Sequence, residues 1–271
     1  MSITQSKDGT TISFDRSGEG PPIILVHPAF GHRAFNPEFA ELAELLSSRF
    51  TVFNYDRRGR GESGDTPPYA VEREIEDLAA LIDVAGGSAF VYGMSSGAVL
   101  AVEAKNRGLA IAKLALYEPV YIVDDSRPPL PGDYVARLTK LVTAGRNGDA
   151  VEYFMINGPG VPAEFVAQMR TQPLWHAFEA LAPSLVHDAT ISAATMTGRP
   201  VTADRVVCVT VPTLVIAGTM APDWARNGAQ ALADALPNGR VSTVEAEFHR
   251  ASPTVLAPAL TAFLENGGAP R

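Results

Sequence analysis

With 271 residues, 46% of them hydrophobic and 19% charged, the chain has ordinary globular composition and enough length for one large domain, or for a core with an inserted subdomain. Lys+Arg 22 against Asp+Glu 30 leaves a net charge of −8, so nothing draws the chain as a whole to nucleic acid or to an anionic bilayer. A lone cysteine, Cys208, excludes an internal disulfide or a thiolate metal cluster and reads as a small buried hydrophobe within VVCVTV.

The opening MSITQSKDGTTISFDRSG is polar and lacks the apolar stretch of an export signal, and the expected location is the cytoplasm. No apolar run approaches the roughly 20 residues that cross a bilayer. A short strand is predicted over 12–14, followed by an unbroken apolar run at 23–26 that fits a central strand covered on both faces. Residues 38–48 put Phe39, Leu42, Leu45 and Leu46 on one helical stripe, and 51–54 return as a strand. The charged, glycine-rich loop DRRGRGESGD over 56–65 has the composition of structural ion pairs, and an acidic amphipathic helix over 71–84 ends at Gly86-Gly87. A strand at 88–92, a helix at 97–106 and an apolar strand at 111–117 complete a βαβ alternation, which implies a mostly parallel sheet.

That alternation breaks over 121–205. The stretch opens with SRPPLPGDY and continues in helical segments at 135–144, 150–156, 163–171 and 175–185, so it reads as a helical insertion over the sheet edge. Strand and helix order resumes with a strand at 213–217, a helix at 225–236, a strand at 240–245 and a last helix from 252 to about 264. The organisation expected is a core of 1–120 and 206–271 with a helical cap at 121–205.

Between the strand 88–92 and the following helix stands Gly93-Met94-Ser95-Ser96-Gly97. A G-x-S-x-G in that context forms a nucleophile elbow: the serine sits in a strained turn, the glycines admit neighbouring backbone, and the helix N-terminus favours a developing oxyanion. Ser95, the central residue, is the candidate nucleophile; the backbone N–H of Ser96 faces a reacting carbonyl. Of the histidines His27, His32, His176, His187 and His249, only His249 lies in the loop between the last strand and last helix, on the same sheet edge as Ser95.

On these residues the chain resembles the α/β-hydrolases over nearly its whole length, through ILVHPAFGH, NYDRRGRGES, GMSSG, PTLVIAG and FHRASP. The resemblance implies an eight-stranded, mostly parallel sheet flanked by helices, with a helical cap inserted after the sixth strand. It also implies an oxyanion hole made by the N–H groups of Ala29 and Ser96, with Phe30 beside the first; Pro28 takes the place of the usual glycine. The family's usual acid is missing, because Gly218-Thr219-Met220-Ala221 carries alanine where G-x-x-D has aspartate. Glu118, at the end of the sixth strand, is the preferred substitute, in an elbow-to-acid spacing similar to that of zearalenone-type lactonases and some haloalkane dehalogenases. Asp223 is the alternative acid, and the absence of any working acid is the third possibility. Trp175 resembles a cap tryptophan of the lactonases and, with Phe30, is a candidate substrate contact.

The function expected is a serine hydrolase that cleaves a carboxylic ester or lactone of a hydrophobic small molecule through an acyl-enzyme. The alternative is a non-hydrolytic protein of the same fold, either a ligand binder or a cofactor-independent oxygenase or lyase. No dinucleotide loop, phosphate loop or zinc-binding helix motif occurs, so no cofactor and no metal is expected. No nucleic-acid or membrane partner is expected, and the chain is read as a monomer or homodimer.

Overall fold

The computed structural model describes residues 1–265, so the end of the core segment predicted to run to 271 lies outside the described residues. Eight strands form one sheet: β1 (Ser2–Gln5), β2 (Thr11–Ser17), β3 (Pro22–Val26), β4 (Thr51–Tyr55), β5 (Ala89–Met94), β6 (Ile111–Tyr117), β7 (Thr213–Met220) and β8 (Gly239–Glu247). Their spatial order is β1-β2-β4-β3-β5-β6-β7-β8; β1 and β2 pair antiparallel and β3 to β8 run parallel. Strand β1 was not predicted. Its residues are mostly exposed and carry no apolar alternation, so only pairing with β2 defines it.

Helices α1 (Pro37–Leu46) and α10 (Pro253–Glu265) cover one face of the sheet, and α2 (Val71–Val84), α3 (Ser96–Asn106) and α9 (Asp223–Ala235) cover the other. The apolar run at 23–26 follows from this sandwich: Ile23 and Leu25 enter the layer of Phe39, Leu42 and Leu260, while Ile24 and Val26 enter that of Leu78, Val99 and Leu232. Asn36 caps α1 by accepting the Phe39 N–H, and Pro37 occupies the first turn, where its missing N–H removes nothing.

Between β6 and β7 the chain is helical: α4 (Tyr134–Thr143), α5 (Asn147–Asn157), α6 (Ala163–Arg170), α7 (Trp175–Ala193) and the single turn α8 (Ala203–Val206). Helix α7 outruns its prediction, which stopped at 185, because Ala189 and Ile191 continue to bury and Pro183 sits inside it without ending it. These helices share a core of Leu138, Val151, Phe154, Trp175 and Leu185, and Ala29 and Phe30 pack against it from the β3–α1 loop. No helix among the described residues is long and apolar enough to cross a membrane.

Cys208 corrects the sequence expectation, since it is exposed. The segment VVCVTV is not a strand: it leaves α8 in a turn, which buries Val206 and Val209 three residues apart and turns Val207 and Cys208 outward.

Glycine is required at two places in the elbow. A Cβ on Gly97 would stand 2.5 Å from the Val26 carbonyl oxygen and 2.6 Å from that of His27, and one on Gly93 would stand 2.6 Å from the Gly97 carbonyl oxygen. Strand β5 and helix α3 can therefore close on the end of β3 only without those side chains. Gly97→Ala is expected to lower unfolding stability by about 3 kcal/mol or more in a denaturant titration; an unchanged midpoint would disprove this account of the elbow.

Candidate active site

Four non-glycine residues among those described have positive φ, and all lie where strands end at the carboxyl edge of the sheet: Phe30 (61°), Ser95 (57°), Glu118 (45°) and His249 (60°). Each is a costly conformation for a residue with a Cβ, and each is held by its neighbours. The Ser95 N–H donates to the Tyr117 carbonyl at 3.0 Å, and the Glu118 N–H to the Ile216 carbonyl at 2.8 Å, which extends the sheet bonding one step past β5 and β6.

Ser95 precedes the first residue of α3, so its hydroxyl stands at the helix N-terminus, and the Ser96 N–H is one of the donors that a helix leaves without an internal partner. In the β3–α1 loop neither the Ala29 nor the Phe30 N–H finds a protein acceptor among the described residues. Both loops open on one cavity of about 440 Å³, lined by Ser95, Ser96, Ala29 and His249 and walled mainly by apolar side chains, among them Phe30, Phe154, Phe178 and Met196. A second, wider lobe of about 860 Å³ meets it at Phe30, Met94 and His249 and reaches out past Tyr92 and Glu38.

Glu118 is fully buried. Its Oε1 accepts the Gly218 N–H at 2.9 Å and its Oε2 accepts the backbone N–H of His249, so one carboxylate ties the end of β6 to β7 and to the β8–α10 loop. The His249 ring stacks on Phe248 at 3.7 Å, and its Nε2 lies 3.9 Å from Glu118 Oε2, buried and without a hydrogen-bond partner. No hydrogen bond joins it to Ser95 among the described residues. Burial pushes the Glu118 carboxyl up to about 7 against the two amides that favour its ionised form, and burial pushes the His249 imidazole down to about 4. The Tyr117 hydroxyl accepts the Ala251 N–H at 3.0 Å and anchors the loop that carries His249.

The structure thus brings Ser95, Ser96, Ala29, Phe30, His249 and Glu118 together. Asp223 stands apart: it opens α9 with its side chain 74% exposed, in an ion pair with Arg226. Trp175 is a correction. It is 3% exposed, donates its indole N–H to Glu179 at 3.1 Å and packs edge-on against Phe178, so it backs the cavity wall and does not line it. The arginines of the DRRGRGES loop are structural, as their composition suggested: Arg57 forks onto Glu74 at 2.7 and 2.9 Å, and Arg58 onto Asp77 at 2.8 and 2.7 Å.

Sequence reasoning missed Asp188 of α7. It is 1% exposed, accepts the Ser96 hydroxyl at 2.6 Å and receives Arg57 at 2.9 Å and Arg60 at 2.6 Å. Its one signal in the sequence is that it is the only Asp, Glu, Lys or Arg in the helical run ALAPSLVHDATISAA, which is otherwise made of apolar, small and uncharged residues.

The model of the alpha/beta hydrolase family matches residues 23–259. An alpha/beta hydrolase from Sphaerobacter thermophilus DSM 20745 is 52% identical, with a TM-score of 0.89 over 97% of this chain and 100% of that one. The enol-lactonase from Burkholderia xenovorans LB400 is 23% identical, with a TM-score of 0.68 over 98% of this chain and 100% of that one. An uncharacterized hydrolase of Bacillus subtilis (strain 168), YraK, is 34% identical over 99 residues, a match that spans only 35% of this chain and 35% of that protein.

A carboxyl held near 7 is visible directly. In ¹³C NMR of glutamate-labelled protein, one side-chain carboxyl is expected to titrate close to neutrality, well above the other glutamates, and to vanish in Glu118→Gln. A Glu118 that titrates with the others near 4 would contradict the burial argument.

Proposed function

We propose that the chain, which belongs to the alpha/beta hydrolase family, is a serine hydrolase that cleaves the ester or lactone of a hydrophobic small molecule, with residues 121–205 as the cap over its pocket. One observation carries this reading: a serine at positive φ, at the N-terminus of α3, shares an apolar cavity with a histidine whose ring makes no hydrogen bond among the described residues. His249 takes the Ser95 proton as Oγ attacks the carbonyl carbon, and the N–H groups of Ala29 and Ser96 hold the oxyanion. The imidazolium returns its proton to the leaving alcohol; water, deprotonated by His249, then releases the acid from the acyl-enzyme. Glu118 stabilises the imidazolium. The 3.9 Å gap between His249 Nε2 and Glu118 closes by a turn of the ring as substrate binds, since catalytic hydrogen bonds are often long in unliganded sites.

The absence of a Ser95–His249 bond favours a second reading, in which His249 is a base and Ser95 is never acylated. The two separate on one experiment. With a medium-chain aryl ester and an aromatic macrolactone, Ser95→Ala is expected to lose about 10³-fold or more in kcat/KM, and mass spectrometry of the parent under turnover to find acylated Ser95. Full activity in Ser95→Ala would overturn the acyl-enzyme route.

The pH profile tests the acid. Glu118 must be ionised to stabilise the imidazolium, and burial holds its carboxyl near 7, so kcat/KM falls as pH drops through about 7. Glu118→Gln is expected to lose that limb and about 10²- to 10⁴-fold of kcat/KM, with Asp223→Asn close to the parent. The opposite ranking of the two variants would return the role to Asp223.

A further inference from the structure

Behind the proposed oxyanion site lies a buried cluster of Arg57, Arg60, Glu74 and Asp188, two positive and two negative charges, each no more than 2% exposed. Ion pairing explains most of its contacts. Arg57 meets Glu74 and Asp188, and Arg60 meets Asp188. Four further bonds, not demanded by charge balance, reach the two loops that carry the proposed oxyanion donors. Arg60 Nη1 donates to the Pro28 carbonyl at 2.7 Å, Arg57 Nη1 donates to the His27 carbonyl at 3.0 Å and to the Ser96 hydroxyl at 3.3 Å, and the Ser96 hydroxyl donates to Asp188 at 2.6 Å.

The geometry of the peptide unit gives these bonds a consequence. In a trans peptide the carbonyl and the following N–H point in opposite directions, and the Pro28–Ala29 bond is trans. The Pro28 carbonyl is held on one side by Arg60 and by the Gly31 N–H at 3.1 Å, which fixes the Ala29 N–H on the other side, away from the cluster. The Ser96 side chain is pinned to the same carboxylate, so the residue that supplies the second donor cannot rotate about its own backbone without breaking a buried charge-assisted bond.

We infer that Asp188 is a positioning residue for the oxyanion hole, acting on the Ser96 donor directly and on the Ala29 donor through Arg60. The inference rests on the serine hydrolase reading, because only an acyl transfer needs both amides at one oxyanion. It also gives the helical insertion a part in the chemistry: Asp188 belongs to α7, whereas both donors belong to the core.

The test uses a trifluoromethyl ketone, whose carbonyl adds Ser95 Oγ and places an oxyanion between the two amides, alongside hydrolysis of an aryl ester. Ser96→Ala removes the hydroxyl and keeps the amide; Asp188→Asn keeps the shape and removes the charge. Each is expected to lower kcat about 10-fold or more with KM within about twofold, and to weaken the ketone by the same factor as kcat/KM. A merely structural role would lower Tm and the fraction of sites titrated by a fluorophosphonate while leaving the ketone's affinity per active site unchanged. That result in Ser96→Ala would overturn the inference even if Asp188→Asn failed to fold. Failure of the parent itself to react with the ketone or the fluorophosphonate at Ser95 would instead overturn the serine hydrolase reading, and this inference with it.

Discussion

Everything at the candidate site depends on how strands β3, β5, β6 and β8 are made to end. Parallel strands in register bring their carboxyl ends to one edge, but a strand that simply continues, or turns through glycine, presents no side chain there. Here the chain puts a Cβ-bearing residue at positive φ after each of those strands, at Phe30, Ser95, Glu118 and His249. Such a conformation costs about 1–2 kcal/mol per residue, and the cost is met by backbone bonds that cross between strand ends, from Ser95 to Tyr117 and from Glu118 to Ile216. The strained residues and the chemically able ones coincide because a sharp reversal is what lifts a side chain clear of the sheet edge.

Glu118 shows how the fold can draw a carboxylate from β6. It lies beneath the His249 loop, and the Gly218 and His249 amides use both its oxygens. Gly218 is needed for this: a Cβ there would stand 2.4 Å from the Ala246 carbonyl oxygen and 3.0 Å from Glu118 Oε1. Glu118 therefore stands beside His249 even though alanine occupies the position three residues after Gly218, where the resemblance leads one to expect an acid. Asp223, by contrast, is out in solvent with Arg226, where a carboxylate has little to offer a buried imidazole.

Much of this was legible in the sequence, and the reasons are specific. The sheet could be read because β3 is an unbroken apolar run, β6 is apolar but for Lys113, and α2 has an apolar stripe, so burial on two faces and on one face left different patterns. Ser95 and His249 could be read because their loops are local features, a G-x-S-x-G after a strand and a histidine before the last helix. Trp175 was misplaced by one layer, since resemblance to a cap tryptophan assigns a residue to the insertion but does not say whether it meets the cavity or its backing. Cys208 was misread because an apolar run suggests burial along its length, whereas the turn after α8 buries Val206 and Val209 and leaves Val207 and Cys208 exposed. Asp188 was illegible for a deeper reason: its partners Ser96, Arg57 and Arg60 are far away in sequence, and no local spacing encodes a four-charge cluster.

That cluster also fixes what kind of wall the helical insertion can be. Burial alone would raise the Asp188 carboxyl, yet Arg60 and Arg57 beside it hold it below the ordinary range; burial would likewise raise Glu74, and Arg57 holds it down. Both carboxyls stay ionised, and against the two guanidiniums the cluster sums to zero. Sliding α7 away would take the carboxylate partner from Arg60 and leave Arg57 with Glu74 alone, in a medium where an unpaired charge costs several kcal/mol, so this helix is held to the core by more than apolar packing. Ala189 and Ser192 follow Asp188 on α7 and line the cavity, with Ser192 one turn further along the helix. The same buried pairs that set the amide planes beneath Ser95 therefore also set the distance from Ser95 to that wall, and the shape of the group that fits between them is determined by charges that no substrate touches.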